Sequence, residues 1–212
     1  EVNVTPSRIE QQGNYITFDF GAIPWGYGWI FPKRDHLSVG IFQANQQKAR
    51  GFRQKLSAYM NRTPILKDCQ PTLIRGHRIP LGGDKTILQT DRVLLVGDAA
   101  NLADSWLGEG IYYATKSAKI AADVLKQKLA QPATSLSVYT SRIHQEISRQ
   151  LVYAAKIAQI IYRLPRAASL MTAKSSIMQS GICTTVYGQT NNEQLYKTML
   201  KNSIKIIFQT LR

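Results

Sequence analysis

The amino-acid sequence predicts an α+β fold with an antiparallel sheet, one strand–loop–helix segment and an all-helical C-terminal region. Short segments rich in aromatic and β-branched residues cluster between residues 15 and 42, as is typical of strands. Four apolar residues, 93–96, run directly into glycine and small residues, and helical periodicity continues beyond Pro132. We therefore expect three regions: a sheet with one helix (1–90), the strand–loop–helix segment (91–131) and a helical region (132–212).

The composition excludes several classes of protein. The chain has 212 residues, of which 44% are hydrophobic and 19% charged, so we expect a folded core rather than a disordered chain. No apolar run approaches the roughly 20 residues that span a bilayer, and the first residues lack a signal pattern. The only two cysteines, Cys69 and Cys183, exclude a disulfide scaffold and favour a reducing, cytoplasmic setting.

The predicted sheet begins with three closely spaced strands. Their sequences are YITFDFG (15–21), GYGWIFP (26–32) and HLSVGIF (36–42). The connections are too short for helical crossovers between parallel neighbours, so the strands should pair antiparallel, with residues 33–36 as a hairpin connection. An amphipathic helix is predicted over residues 46–60, with Phe52, Leu56, Tyr59 and Met60 on one face.

The strand–loop–helix segment is the most informative part of the sequence. Residues 93–96 form the kind of short apolar run that is found in strands buried on both faces. Gly97 and Asp98 follow at once, and after a loop Gly108, Glu109 and Gly110 open a helix that extends to about residue 129. A small-residue face on this helix, formed by Ala114, Ser117, Ala118, Ala121 and Ala122, should pack closely on its neighbour.

This segment has the residues for binding a polar, anionic ligand. A carboxylate just beyond a strand, as at Asp98, is a hydrogen-bond acceptor at the edge where α/β folds bind ligands. Glycines at 108 and 110 allow close approach to the backbone, and the free N–H groups of the helix carry a positive partial charge. The alternative is purely structural, with Asp98 capping a turn, the glycines starting a helix and Glu109 capping it.

At these residues the sequence resembles a known family. Residues 94–122, LLVGDAANLADSWLGEGIYYATKSAKIAA, resemble a flavin-binding motif of FAD-dependent, glutathione-reductase-like oxidoreductases, and most closely that of the geranylgeranyl reductase family. Residues 24–42, PWGYGWIFPKRDHLSVGIF, resemble the aromatic, substrate-side motif of the same family. The two motifs occur in the expected order.

The resemblance implies a site for each ligand. Asp98 would accept hydrogen bonds from the ribityl hydroxyls of FAD, while the backbone of 108–110 would face the pyrophosphate or the N1 and O2 edge of the isoalloxazine. The cofactor-binding residues implied in this way are Gly97, Asp98, Ala99, Gly108, Glu109, Gly110 and Ile111. The substrate-binding residues implied for an isoprenoid chain are Tyr27, Trp29, Phe31, Pro32 and Gly40. Strand alternation places the rings at 27, 29 and 31 on one face, where they could also be ordinary sheet core.

Some positions depart from the family's pattern. Asn101 and Phe42 stand where the family commonly has glycine, and Ser105 stands where it often has proline. No Gly-x-Gly-x-x-Gly turn for the ADP part of FAD occurs in the chain. We therefore expect an incomplete FAD-binding fold that lacks its N-terminal Rossmann half, α/β only in the intact protein. On this interpretation the chain is the C-terminal part of a longer polypeptide and is inactive alone.

The function implied is reduction of geranylgeranyl-type double bonds by a flavoprotein oxidoreductase in its full-length form. FAD would be reduced by NADPH or by ferredoxin, and no catalytic residue is assigned. Two other classes remain open: a flavin-dependent monooxygenase or halogenase-like enzyme, and a non-enzymatic basic module that binds lipid or nucleic acid. No nucleic-acid motif is present, and His36, His77 and His144 have no partner at metal-ligand spacing, so we expect neither a nucleic-acid partner nor a metal.

The C-terminal half carries most of the positive charge. Residues 1–112 have 13 basic and 10 acidic side chains (13 − 10 = +3), whereas 113–212 have 14 and 3 (14 − 3 = +11), which together give the net +14. Basic residues recur every seven positions (142, 149, 156 and 163) and every four (197, 201 and 205) beside apolar faces. This pattern is typical of peripheral contact with an anionic membrane surface, or of a solvated face over a helical core.

Overall fold

The computed structural model describes residues 1–45, 50–82, 87–203 and 205, which divide into two compact units. The first unit contains Glu1–His77 and Ile161–Leu170. The second contains Arg78–Ile160 and Met171–Arg212. The sheet belongs to the first unit and the strand–loop–helix segment to the second, so the two sequence motifs lie in different units.

Four antiparallel strands form the sheet of the first unit. They are β1 (Val2–Asn3), β2 (Thr17–Phe20), β3 (Gly26–Pro32) and β4 (His36–Gln43), in the spatial order β1-β4-β3-β2. The predicted antiparallel sheet is thus confirmed, with the short β1 as an addition. The hairpin connection is also as predicted, because the Lys33 N–H donates to the His36 carbonyl at 2.9 Å.

The two faces of the sheet have different compositions. Tyr27 pairs with Phe42 and Trp29 with Gly40, while Phe18 of β2 pairs with Trp29, so their side chains share one face. The opposite face carries an aliphatic core built around Ile30 and its neighbours, including Val2, Leu37, Tyr59, Met60 and Leu66. Alternation along β3 therefore separates an aromatic face from an aliphatic face, as the sequence predicts.

Two glycines in the sheet make room for aromatic rings. A Cβ on Gly40 would overlap the indole of Trp29, and a Cβ on Gly28 would overlap the ring of Tyr59 on the other face. Each ring therefore lies flat on the backbone of a strand. Gly40 has a packing function in this sheet that does not depend on any ligand.

We expect Gly40→Ala to destabilise the protein by about 1–3 kcal/mol, because the added methyl group forces the indole of Trp29 out of its place. Urea unfolding followed by tryptophan fluorescence measures this change. Gly76→Ala is the matched control, since nothing lies within 4 Å of a Cβ at that position, and it should be neutral or slightly stabilising. Equal effects of the two substitutions would contradict the packing function of Gly40.

Two helices accompany the sheet, α1 (Pro6–Gln12) and α2 (Phe52–Arg62). Helix α2 begins later than the predicted residue 46, because Gly51 has a left-handed φ of 68° that is incompatible with a continuing helix. Residues 46–49 of the predicted helix lie outside the described residues. Of its predicted apolar face, Tyr59 and Met60 are buried, whereas Phe52 remains 39% exposed.

The prediction that residues 93–96 form a strand buried on both faces is wrong. Leu94 forms a single antiparallel bridge with Gln89, and the Leu95 N–H donates to the Leu88 carbonyl at 2.8 Å, so the segment is one arm of a short extended hairpin. Val93 and Val96 are 51% and 37% exposed. A strand buried on both faces needs sheet neighbours on either side, and here one short antiparallel arm is the only neighbour described.

Helices make up most of the described chain after Gly110; residues 161–170 of them belong to the first unit and the others to the second. They are α3 (Ile111–Ala130), α4 (Ser137–Ile143), α5 (Arg149–Arg163), α6 (Pro165–Lys174), α7 (Ser176–Val186) and α8 (Asn192–Lys201), with a π-helical turn at His144–Ser148. The helical C-terminal region is therefore confirmed over the described residues. Its core is built on α3, α4 and the start of α5, with Val124, Tyr139 and Ile147 fully buried.

Candidate functional site

The Gly97–Ala100 turn is fixed to helix α3 by small residues. Gly97 is buried with φ at 54°, and its N–H donates to Ser117 Oγ at 3.0 Å. A Cβ on Gly97 would lie 2.9 Å from the Ala114 Cβ, so only glycine fits this position. Ser117 and Ala121 are buried as predicted, but two members of the predicted small-residue face, Ala118 and Ala122, are exposed. The close packing covers only the part of the helix that faces the turn.

This packing places Asp98 at the N-terminus of α3. Its Oδ1 lies 3.4 Å from the position of a Cβ on Gly110, the residue that precedes the helix. Asp98 is exposed, and its carboxylate receives no hydrogen bond from the described part of the chain. Its backbone carbonyl accepts from the Asn101 N–H, so the turn is held by the main chain rather than by the carboxylate. The Asp98 side chain is therefore available to a ligand.

The next residue in the loop adopts a conformation that glycine favours. Asn101 has φ at 54° and ψ at 40°, the left-handed region that asparagine tolerates better than most other residues. This geometry explains how Asn101 stands where the family commonly has glycine.

Asp104 organises the loop from within, and sequence reasoning missed it. The residue is 3% exposed, and its Oδ1 accepts from the N–H groups of Trp106 at 3.0 Å and Leu107 at 2.7 Å. Its own N–H donates to the Glu109 carbonyl at 2.9 Å. Burial raises the pKa of Asp104 to about 6. In the sequence, the signal for such a turn is an Asp in a loop, whose side chain can accept from the backbone N–H groups two and three residues later.

Glu109 closes the loop against α3. Its Oε1 accepts from the Tyr112 N–H at 2.9 Å, which caps the first turn of the helix, as the structural alternative expects. The other oxygen, Oε2, is buried and has no hydrogen-bond partner among the described residues. Since one helix N–H is already taken by Glu109, an anionic ligand at this end would use the remaining N–H groups.

The raised pKa of Asp104 predicts a pH-dependent stability. The folded-state pKa of about 6 lies above the ordinary value of 3.8, so the folded state holds the proton more tightly than the unfolded state. Stability from this group is full below about pH 4 and is lost as the pH rises through about 6. Asp104→Asn keeps an oxygen for both N–H donors and removes the titration.

We expect the wild type to lose on the order of 3 kcal/mol relative to Asp104→Asn between about pH 4 and pH 7. Urea unfolding midpoints at a series of pH values measure the difference. If the unfolding midpoints of the two proteins change with pH in parallel, the pKa of Asp104 is not raised in the folded state.

The predicted substrate-side residues lie together on the sheet of the first unit. The ring centroids of Tyr27 and Trp29 are 6.2 Å apart, as are those of Trp29 and Phe31, which confirms that the three rings share one face. Tyr27 is 5% exposed, whereas Trp29 and Phe31 are partly exposed. Three further rings that the sequence analysis did not assign complete this aromatic face: Phe18, Phe20 and Phe42.

Two of these rings, Phe42 and Phe18, extend the aromatic face beyond the sequence motif. Phe42, which stands in place of a family glycine, is buried and lies 5.3 Å from the Tyr27 ring centroid. Phe18 lies 5.4 Å from both Tyr27 and Phe31. Pro32 ends β3 and is partly exposed. The aromatic face is thus wider than the sequence motif, and Phe18, Trp29 and Phe31 are its partly exposed members.

The basic residues of the C-terminal half are only partly neutralised. Each of its three acidic residues is paired: Asp123 with Arg142, Glu146 with Arg142 and Lys116, and Glu193 with Arg149 and Lys197. Hydrogen bonds from Arg149 and Lys197 lower the pKa of Glu193 to about 2. Lys156 lies over the rings of Tyr153 and Tyr196, at 4.9 and 5.5 Å from their centroids.

The basic helix α8 departs from a simple amphipathic pattern. The apolar residues beside its lysines in the sequence are Leu195, Met199, Leu200 and residues 206–208. Leu195 and Met199 are buried and Leu200 is 54% exposed, while residues 206–208 lie outside the described residues. Over the described ranges, no helix has both the length and the apolar character needed to cross a membrane.

Comparison with known proteins identifies homologues. An uncharacterised protein of Methanosarcina barkeri is 34% identical over 172 residues, covering 81% of this chain and 44% of that protein. Digeranylgeranylglycerophospholipid reductase 2 of Methanosphaera stadtmanae is 32% identical over 139 residues, covering 63% of this chain and 35% of that protein. No family model matches the sequence.

A solved structure shares the fold. The crystal structure of a geranylgeranyl bacteriochlorophyll reductase-like protein from Thermoplasma acidophilum superposes with a TM-score of 0.64 at 22% identity. The match covers 80% of this chain and 44% of that one. The chain therefore spans less than half the length of each of these proteins.

Proposed function

This chain is a homologue of the geranylgeranyl reductases, and from that premise we propose that it forms part of a flavoprotein oxidoreductase that reduces isoprenoid double bonds. The observation that carries the proposal is the position of Asp98. Its carboxylate is exposed, receives no hydrogen bond from the described residues and lies beside Gly110 at the N-terminus of α3. The full-length natural polypeptide that contains this sequence is the protein in which the function is tested.

The residues around Asp98 fit a flavin nucleotide. An ionised carboxylate only accepts hydrogen bonds, so Asp98 can bind hydroxyl groups such as those of the ribityl chain. The glycines at 108 and 110 leave the backbone open to a bulky ligand, and the N-terminus of α3 favours negative charge. These properties support FAD as the cofactor, with Gly97, Ala99 and Ile111 completing its site.

The cofactor and the residues of this chain would contribute different parts of the reaction. FAD, when bound, supplies the hydride for the reduction, after it has been reduced by NADPH or by ferredoxin. In this chain, Asp98 would accept hydrogen bonds from the ribityl hydroxyls, and the backbone of residues 108–110 would face the anionic part of the cofactor. Trp29 and Phe31, which are partly exposed beside the buried Tyr27, offer an apolar surface on which an isoprenoid chain would lie.

Product analysis tests the reaction. The full-length polypeptide with FAD, a reductant and a geranylgeranyl-bearing lipid should yield products that gain two hydrogens for each double bond. Products that gain oxygen would instead support a monooxygenase. Unchanged substrate, with each reductant tried in turn, would overturn the proposed reaction.

The charge pattern supports a second proposal, peripheral binding to an anionic membrane surface. All three acidic residues of the C-terminal half are already paired, so the basic residues on α5 and α8 leave a net positive surface. The partly exposed Tyr153 and Tyr196 beside Lys156, together with the exposed Leu200, are typical of such a surface. A prenylated substrate that resides in a bilayer would make this location useful.

We expect Lys156→Gln with Lys201→Gln to weaken binding to vesicles that contain phosphatidylglycerol by about thirtyfold, since each lysine near an anionic surface contributes about 1 kcal/mol. Co-sedimentation at low and high salt measures binding. Arg50→Gln with Arg53→Gln is the charge-matched control, because both residues are exposed at the start of α2 in the first unit. If both pairs weaken binding equally, net charge alone accounts for it.

A further inference from the structure

Asn192 makes an unusual set of contacts for the first residue of a helix. It begins α8, yet it is only 5% exposed. Its Oδ1 accepts from the Trp106 Nε1–H at 3.1 Å, and its Nδ2–H donates to the Tyr113 hydroxyl at 3.1 Å. These partners lie 86 and 79 residues away in the sequence and are themselves buried, at 1% and 6% exposure. One amide therefore bridges three segments of the second unit.

The bridge is not needed to cap α8, because Asn191 already caps this helix. The Asn191 side chain accepts from the Gln194 N–H at 3.0 Å, and the Gln194 side chain accepts from the Asn191 N–H. Asn192 is thus free to turn inward. A buried amide without hydrogen-bond partners destabilises the folded protein. Here the side-chain oxygen and the side-chain nitrogen of Asn192 each bond to a side chain that is also buried.

The two partners of Asn192 stand on either side of the glycines at 108 and 110. Trp106 lies in the loop before them, and its N–H donates to the buried Asp104. Tyr113 lies in the first turn of α3, one residue after Tyr112, whose N–H is capped by Glu109. The bridge therefore fixes the segment 104–113 at two positions, Trp106 and Tyr113, from a single point on α8.

We infer that Asn192 is a positioning residue: it holds the segment 104–113 in the conformation that sets Gly110 beside Asp98. The inference rests on the proposed function, because it assigns this segment to the flavin site. The effect of Asn192 is transmitted through the indole of Trp106 and the hydroxyl of Tyr113.

Hydrogen–deuterium exchange on the full-length natural polypeptide, without FAD, tests the structural half of this inference. Asn192→Ala should speed exchange at the Trp106 and Leu107 amides about tenfold or more, since the loop loses its link to α8. Tyr113→Phe removes one hydroxyl and only half of the bridge, so it should give a smaller increase with the fold intact. Asn191→Ala is the matched control, because it weakens the cap of the same helix and leaves both partners of Asn192 in place.

Flavin spectra of the full-length natural polypeptide test the other half. Asn192→Ala should weaken FAD binding about tenfold and shift the visible flavin band at saturation, whereas Asn191→Ala should do neither. Unchanged exchange of the loop in Asn192→Ala, or equal effects of Asn191→Ala, would overturn the positioning role. If the wild type binds no FAD, the proposed function fails, and the exchange experiment still decides whether the bridge orders the loop.

Discussion

Replacing Asp98 with alanine is expected to weaken FAD binding about ten- to hundredfold in the full-length natural polypeptide. Hydrogen bonds to a charged acceptor contribute about 1.5–3 kcal/mol, and each 1.4 kcal/mol is tenfold in Kd. The Asp98 carboxylate receives no hydrogen bond from the described residues, so its loss should leave the protein's own hydrogen bonds intact. Titration of the apoprotein with FAD, followed by flavin fluorescence, measures the change.

Asp91→Ala is the matched control for this experiment. Asp91 is also an exposed aspartate in the same stretch of chain, at the turn of the hairpin that precedes Gly97. It should leave FAD binding unchanged. Equal affinity of Asp98→Ala and the wild type would remove the observation on which the flavin site depends.

Replacing Trp29 with alanine is expected to lower kcat/KM for a geranylgeranyl substrate about ten- to hundredfold while FAD occupancy is retained. The indole covers Gly40 and joins Tyr27 to Phe31 on the aromatic face. Loss of a large apolar contact with the substrate chain raises the free energies of the bound substrate and of the transition state by about 1.5–3 kcal/mol. Steady-state kinetics with substrates of different chain length measures the effect.

Ile30→Ala separates substrate contact from loss of stability. Ile30 is the next residue of β3, is 3% exposed and points to the aliphatic face, so its truncation should destabilise the fold by about 2–5 kcal/mol. It should change kcat/KM little at a temperature where both variants are folded. Similar kinetic losses in Trp29→Ala and Ile30→Ala would indicate that the aromatic face is ordinary core.

The sequence predicts the sheet well because its signals are local. Alternation through Tyr27, Trp29 and Phe31, and turn residues between the strands, act over a few positions and determine both pairing and face. The start of α3 is equally clear, since Gly108 and Gly110 bracket a helix-capping glutamate. The start of α2 differs from its prediction because the helical pattern in the sequence runs on both sides of Gly51. The left-handed φ of Gly51 prevents the helix from including the residues before it.

The less successful predictions concern long-range contacts. Residues 93–96 have the composition of a strand buried on both faces, but burial depends on neighbours that composition does not specify. The bond between Asn192 and Trp106 joins residues 86 positions apart, and no local pattern indicates it. Asp104 escapes sequence reasoning for a similar reason: its raised pKa results from burial by the surrounding fold, which its sequence neighbours do not specify.

Visible absorption of the full-length natural polypeptide tests the central claim most directly. The protein is mixed with FAD, and free flavin is removed by gel filtration before the spectrum is recorded. We predict that the oxidised-flavin bands in the near ultraviolet and the blue elute with the protein in near-stoichiometric amount. A folded protein that elutes colourless would contradict a flavin site at Asp98 and residues 108–110.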